Sequence, residues 1–425
     1  MSERVTIGVP IYRGELYLEE TLNSIQRQTY KSFDVIMSLD TPDPVCEAIC
    51  AKFIGDPRFK LVVQPQRLGW VGNINWLISH VTNEYWYYHQ QDDLTEGTYL
   101  EILLDHAQRH SSAALVYCDI RPIGRIEGPS FSSPSVLGAT PYTRVMTLLH
   151  EHFPAFAFRG LTRSQALKGA GPIGVNDVDC LGVDITWLTG IARSGELHRV
   201  PLTLYNKRYH NLNTESRWWT LSREDQLRSW SRHCIDMLGQ ALQVRSSPEQ
   251  ARLLWSAAVA RLTIPEAAGH YLKIDDLALQ DRTNLLESFL SQAISTYGKS
   301  LTVWLDADWD AVVRWTKSSF WLPRSDPVTI TGFGPSPVVC GRPFNVQPDG
   351  SFALWVLADR YLPPKTKICL DGTNLETTLS GTIATTKVPL EAVSQPGELK
   401  LCLVGPDGTA QSNSVVLKVL HNSSG

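Results

Sequence analysis

The sequence lacks several features that would point to a function directly. It has no surplus of positive charge: 39 lysines and arginines face 43 aspartates and glutamates over 425 residues, a formal net charge of −4. Such a chain carries no general field to hold a polyanion, which excludes nucleic acid as an expected partner. It has no paired-cysteine framework. The eight cysteines are scattered, and only Cys46 and Cys50 lie close, four apart as on one helix face, so neither a disulfide scaffold nor a zinc-finger spacing emerges. It has no apolar stretch long enough to span a bilayer, and Met1 leads into Val5-Thr6-Ile7-Gly8-Val9 without the regions of a secretion signal. A cytoplasmic location is therefore expected. A glycine-rich triphosphate loop is also missing. Pro10-Ile11-Tyr12-Arg13-Gly14 is a poor version of one, which argues against a sugar nucleotidyltransferase.

What is present is ample material to bury: 43% hydrophobic and 9% aromatic residues, in a chain long enough for two to four domains. Residues 1–220 open with short apolar runs alternating with helix-like segments, the pattern of a mixed, mostly parallel sheet in an α/β domain. Strands are expected at Val5–Val9, Asp34–Leu39, Lys60–Val63, Tyr85–Tyr88 and Ala114–Cys118, with a crossover helix through Leu18, Leu22 and Ile25. Residues 221–323 read as a helical linking domain. Residues 324–421 turn to β-prone runs separated by Asp349-Gly350, Asp371-Gly372 and Asp407-Gly408, about seven strands, which suits a β-sandwich. The tail His421–Gly425 is polar and featureless and lies outside the expected fold.

Ligands of open α/β sheets gather at the carboxyl ends of the strands, so the residues just past those ends are the candidates. Three places stand out. The first strand leads through Pro10 and Tyr12 into Tyr17-Leu18-Glu19-Glu20-Thr21-Leu22-Asn23-Ser24-Ile25 and Gln28-Thr29-Tyr30, and the second strand ends at Asp40. The fourth strand runs Tyr85-Trp86-Tyr87-Tyr88 and stops in Asp92-Asp93. An acid at such a place can hold a hard cation. The third place is Asp184, at the start of a helical pattern, where aspartate is also a favoured cap.

The first of these runs resembles the opening of family 2 glycosyltransferases of the GT-A fold, and the resemblance extends over roughly residues 4 to 215. It implies a nucleotide-sugar donor, most simply a UDP-sugar, and a glycan or glycoconjugate acceptor, as in polysaccharide biosynthesis. Pro10 and Tyr12 would line the base and Asp40 would sit by the base or ribose. The family's D-x-D acids fall at Gln90–Asp92, implying a manganese or magnesium ion on Asp92, with Asp93 beside it. The loop from Arg67 to Asn75 resembles the family's G-x-x-x-x-R-N stretch, with Ile74 in place of the basic residue, so that a phosphate or base contact is either missing or supplied by Arg67. Asp184 corresponds to the catalytic base, with Gly195 eleven residues on and Val183 where the family has glutamate. Tyr205-Asn206-Lys207-Arg208-Tyr209-His210, before Asn213–Ser216, resembles Y-x-x-R-x-H, in which His210 completes the metal shell and Arg208 meets phosphate. The C-terminal strands resemble immunoglobulin-like IPT/TIG modules.

These residues together imply an inverting transferase with Asp184 as base. A second reading is a non-catalytic glycan-binding protein with a degenerate transferase domain, kept open by Gln90, Ile74 and Val183. Asp306, Asp308 and Asp310 imitate a D-x-D series but open a helical stretch, where alternate residues diverge. Trp218 and Trp219 lie close enough in sequence to shape an acceptor pocket, and self-association through the C-terminal domain stays open.

Overall fold

The computed structural model describes residues 4–150, 153, 155–176, 178, 180–210, 218, 220–263, 279–319, 328–347, 350–359, 362, 365–380, 383–405 and 412–421. Asn213–Ser216 and Trp219 lie outside them. The chain divides into two compact units. The first runs to Leu262 and takes in Ser288–Asp306, and the second includes the residues from Ala307 onward.

The first unit is built on β1 (Val5–Ile11), whose residues Val5, Ile7, Val9 and Ile11 are fully buried. β1 pairs in parallel with β2 (Phe33–Leu39) on one side, and β2 pairs in parallel with β3 (Phe59–Val63). On its other side β1 pairs in parallel with β4 (Tyr85–Tyr88). Near-continuous apolar strands of this kind are what a sheet covered on both faces requires. Gly8 is needed at its position, because a β-carbon there would lie 2.1 Å from the ring of Trp86. Between β1 and β2, α1 (Leu18–Gln26) buries Leu18, Thr21, Leu22 and Ile25 at helical spacing, with Glu19 and Glu20 favouring its amino end.

α2 (Pro44–Ala51) follows β2. Its start is set by Asp43, whose carboxylate accepts the Val45 and Cys46 N–H groups at 3.0 and 3.2 Å, and by Pro44 in the first turn. α3 (Gly69–Ser79) connects β3 to β4. Beyond β4 come β5 (Leu94–Thr95), α4 (Tyr99–Arg109), β6 (Ala113–Gly124), α5 (Pro141–His150), a 3-10 turn (Ala155–Arg159), β7 (Leu161–Arg163), α6 (Ser164–Ala170), α7 (Val183–Ser194) and β8 (Glu196–Tyr209). The described strands join in the order β3-β2-β1-β4-β7-β6-β8-β5. β7 is antiparallel to β4 and β6, and β5 is antiparallel to β8, so the sheet is mixed and mostly parallel. The loop after β6 is pinned by bridges from Phe131 to Ile120 and from Val136 to Leu197. α8 (Arg223–Ala241) and α9 (Pro248–Arg261) belong to the same unit, the latter started by a Ser247–Gln250 capping box.

In the second unit, β9 (Ile330–Gly334), β10 (Val338–Val339), β11 (Ala353–Ala358), β12 (Lys367–Leu370), β13 (Thr373–Asn374), β14 (Thr377–Ser380), β15 (Ile383–Lys387), β16 (Gly397–Val404) and β17 (Val415–Leu420) form two sheets. Their orders are β10-β17-β16-β12-β13 and β14-β15-β11-β9. Leu354, Val356 and Ala384 of one sheet share a core with Ile368, Leu401 and Leu417 of the other, which makes a sandwich. Asp371 and Gly372 turn β12 into β13 with φ of 48° and 84°, as an Asp-Gly hairpin does. Asp308 accepts the Ala311 N–H at 2.7 Å and starts the helix Trp309–Ser319, so the acids there serve helix geometry.

Candidate active site

The sheet register brings Ile11 level with Leu39 and Gly8 level with Tyr88, so Tyr12, Asp40 and the acids after β4 emerge at one carboxyl edge. A cleft of about 300 Å³ opens there, lined by Tyr12, Arg13, Leu39, Thr41 and the start of α2. The Arg67 guanidinium lies 4.2 Å from the Tyr12 ring centre and that of Arg13 5.2 Å. An aromatic face with two cations beside it suits a flat, electron-rich base and the phosphates attached to it. Pro10, one residue before the end of β1, is half-buried.

Asp40 has a firmer structural duty than the sequence suggests. It is buried, and its carboxylate accepts the N–H groups of Leu68 and Gly69 at 2.8 and 3.1 Å, holding the amino end of α3. Arg67 lies 3.8 Å away. Asn75 is similarly committed: its side-chain amide exchanges two hydrogen bonds with the backbone of Ile173, at 2.8 and 2.9 Å. Ile74, where the resemblance has a basic residue, is buried core.

The second group sits past β4. Asp92 Oδ2 lies 2.7 Å from His210 Nε2, and both side chains are about four-fifths covered, at 19% and 18% exposure. A carboxylate oxygen and an imidazole nitrogen thus converge from the ends of two strands, and that donor pair suits a divalent ion completed by phosphate oxygens and water. Asp93 points the other way. It is 1% exposed, and its oxygens accept from the Tyr205 hydroxyl at 2.8 Å and the Arg208 N–H at 2.7 Å, with Arg159 Nε at 3.4 Å. Burial, and then the charge of Asp92, push its carboxyl up to about 6 against the pull of Arg159 and the Arg208 N–H. Gln90, at the place of the first acid, accepts from the Arg159 guanidinium at 2.8 Å.

Arg208 is a strut. Its guanidinium reaches the Asp92 carbonyl at 3.0 Å and Glu20 at 2.6 Å while lying 4.4 Å from the Tyr17 ring centre, so it ties α1 to the acid loop. Lys207 is buried, 4.5 Å from the Tyr209 ring centre. Gln91 completes the scaffold by exchanging hydrogen bonds with the backbone of Tyr12, at 2.8 and 2.9 Å. The roles of Arg159, Gln91 and Glu20 escape sequence reasoning, and Tyr205 enters it only as the first residue of Y-x-x-R-x-H. Arg159 alone leaves a signal, a cation beside the apolar run Phe156-Ala157-Phe158 that must find a buried anion.

Asp184 lies in the first turn of α7, half-buried, with Gly182 and not the aspartate at the cap position. Its Oδ1 accepts the Ile185 N–H at 2.9 Å. Gly182 adopts φ 65°, and a β-carbon there would lie 2.3 Å from Nδ1 of His233, so α8 packs directly on the backbone that launches α7. The far end of α7 is held by the buried Arg144, which donates to the carbonyls of Ala192 and Arg193 at 2.6 and 3.2 Å. Trp187, one turn after Asp184, meets Phe158 edge-on at 5.5 Å, and Phe158 meets Tyr88 at 5.0 Å. That aromatic row ties α7 to the end of β4 that carries the acids. Trp218 is buried.

Residues 6–166 match the family described as Glycosyl transferase family 2. Over these residues the chain is similar to that family. The family 2 match ends before α7, so Asp184 and His210 lie beyond it. Among curated relatives, Glycosyltransferase GlyA of Streptococcus pneumoniae is 27% identical over 103 residues, 24% of this chain and 15% of its own length. Glycosyltransferase GlyG of the same organism is 28% identical over 120 residues, 27% of this chain and 39% of its own length. The chain therefore spans less than half of either relative. In fold it is similar to S. aureus TarS. A TarS fragment in complex with UDP-GlcNAc aligns at 14% identity and TM-score 0.53, over 74% of this chain and 87% of that one. A longer TarS structure aligns at 14% identity and TM-score 0.52, over 99% of this chain and 78% of that one. No helix among the described residues is long and apolar enough to cross a membrane.

Proposed function

We propose that the chain is an inverting glycosyltransferase that moves a sugar from a nucleotide sugar, a UDP-sugar, to a hydroxyl of a glycan or glycoconjugate. The observation that carries this is the placement, at one sheet edge, of the Tyr12 cleft and the Asp92–His210 pair, which together suit a base and its diphosphate. The UDP-GlcNAc complex of TarS, a protein of similar fold, supports the choice of uridine.

In this reading Tyr12 stacks on the base, and Arg67 and Arg13 face the ribose and phosphates. Asp92 and His210 would hold a manganese or magnesium ion, which when bound neutralises charge on the departing diphosphate. Asp93 and Gln90 do not join that shell. Through Arg159 and Tyr205 they keep the loop rigid, so that Asp92 is presented at a fixed place. Asp40 and Asn75 act on the positions of α3 and the 173 loop, at one remove from the donor. The Asp184 carboxylate takes the proton of the acceptor hydroxyl. The acceptor oxygen forms a bond to the anomeric carbon on the face opposite the nucleotide, and the carbon–oxygen bond to the diphosphate breaks with its electron pair going to the phosphate oxygen. We assign these steps to residues 1–220, with 221–323 as linking helices and the immunoglobulin-like sandwich of 324–421 holding acceptor or mediating self-association, in the cytoplasm.

The test is release of nucleoside diphosphate from a panel of nucleotide sugars, with and without manganese, since slow donor hydrolysis needs no acceptor. Release from UDP-sugars ahead of GDP- and ADP-sugars is expected. Silence with every donor would leave the domain as a glycan-binding remnant.

A further inference from the structure

At the opposite end of β8 from His210, three histidines converge outside the site described above. His106, in the last turn of α4, and His110, the residue that caps its carboxyl end, stand four apart with stacked rings, 4.1 Å between centres. His198 comes from the start of β8, and its Nδ1 lies 3.1 Å from His106 Nε2. One ring nitrogen from each of the three falls within 4.8 Å of the others. Helix spacing explains two of them, since residues four apart share a face. The third requires the fold, because β8 runs past the carboxyl end of α4.

The other ring nitrogens decide what the cluster can do. His198 Nε2 lies 3.0 Å from Glu196 Oε2, and Glu196 is itself held by the Ser112 hydroxyl at 2.6 Å and the Gly138 N–H at 3.0 Å. His110 Nδ1 lies 2.9 Å from the His106 carbonyl, which makes that nitrogen the protonated one and leaves Nε2 with its lone pair. A carboxylate behind one imidazole and a carbonyl behind another are the partners that orient metal-bound histidines. The neighbouring Arg109 is paired with Asp105. In a tetrahedral site with zinc–nitrogen bonds of about 2.0–2.1 Å, ligand nitrogens sit roughly 3.4 Å apart, which small ring rotations reach from here.

We propose that His106, His110 and His198 bind one zinc-class divalent ion, with Glu196 orienting His198 and water in the fourth position. The ion rivets the last turn of α4 to the start of β8. It is separate from any ion at Asp92 and His210, which lies twelve residues further along the chain, on the order of 30–40 Å of strand.

The experiment uses full-length protein stripped of metal and titrated with Zn2+ by calorimetry and with Co2+ by visible absorption. Wild type and Asp92→Asn should both show the d–d bands of low-coordinate Co2+ and a rise in melting temperature with Zn2+. His110→Ala, and His110→Gln if the first does not fold, should lose both while melting like wild type in chelator. Glu196→Gln should weaken Zn2+ binding by about 10- to 100-fold. Equal Zn2+ affinity and equal melting shift in wild type and the His110 variants would overturn the proposal, as would loss of the Co2+ bands in Asp92→Asn.

Discussion

Asp92 and His210 meet at 2.7 Å across 118 residues of chain, one at the end of β4 and the other at the end of β8. If this pair holds the donor's counter-ion, chelator removes donor turnover and added manganese or magnesium restores it. Asp92→Asn should leave residual turnover that no longer responds to manganese. Zinc bound at the three histidines would not substitute, because that cluster lies away from the cleft. Turnover in chelator equal to that in manganese would show that the transfer runs without an ion at this pair.

In the proposed site Tyr12 stacks on the nucleotide base, with Arg67 4.2 Å from its ring centre. Base–aromatic stacking contributes about 1–3 kcal/mol, so Tyr12→Ala should raise the dissociation constant for UDP roughly 5- to 150-fold. Tyr12→Phe should bind nearly as wild type. Calorimetric titration of the two variants distinguishes stacking from a contribution of the hydroxyl.

Gly182→Ala would place a methyl group 2.3 Å from the buried His233 ring in a backbone with φ 65°. A strain of about 1–3 kcal/mol follows. Because Asp184 is two residues on, kcat should fall while donor affinity holds. His233→Ala in the same chain should recover part of kcat by opening space for the methyl group. A fall in donor affinity with kcat unchanged would place this turn at the donor and not at the base.

The sheet is legible in the sequence where local chemistry decides the structure. Tyr85–Tyr88 is the strand its apolar run indicates, and Leu18, Leu22 and Ile25 form the buried face their spacing implies. The acids past β4 are legible as a pair, but not their opposite roles. Asp93 turns inward because Arg159, Tyr205 and the Arg208 N–H meet it there, from 66, 112 and 115 residues away. The duty of Asp40 depends likewise on where the 68–69 backbone passes, and His198 joins His106 and His110 only through the register of β8. Periodicity reports which face is buried. It does not report which distant polar group arrives to satisfy it.

The central claim is that Asp184 takes the acceptor proton in a site whose donor pocket is built elsewhere. The most direct measurement is transfer and UDP binding in the same preparation of Asp184→Asn. A general base contributes about 100- to 10,000-fold, so transfer should fall by at least that range while the UDP dissociation constant stays within roughly twofold of wild type. Transfer near the wild-type rate, or transfer and UDP binding lost together in a folded protein, would contradict the account.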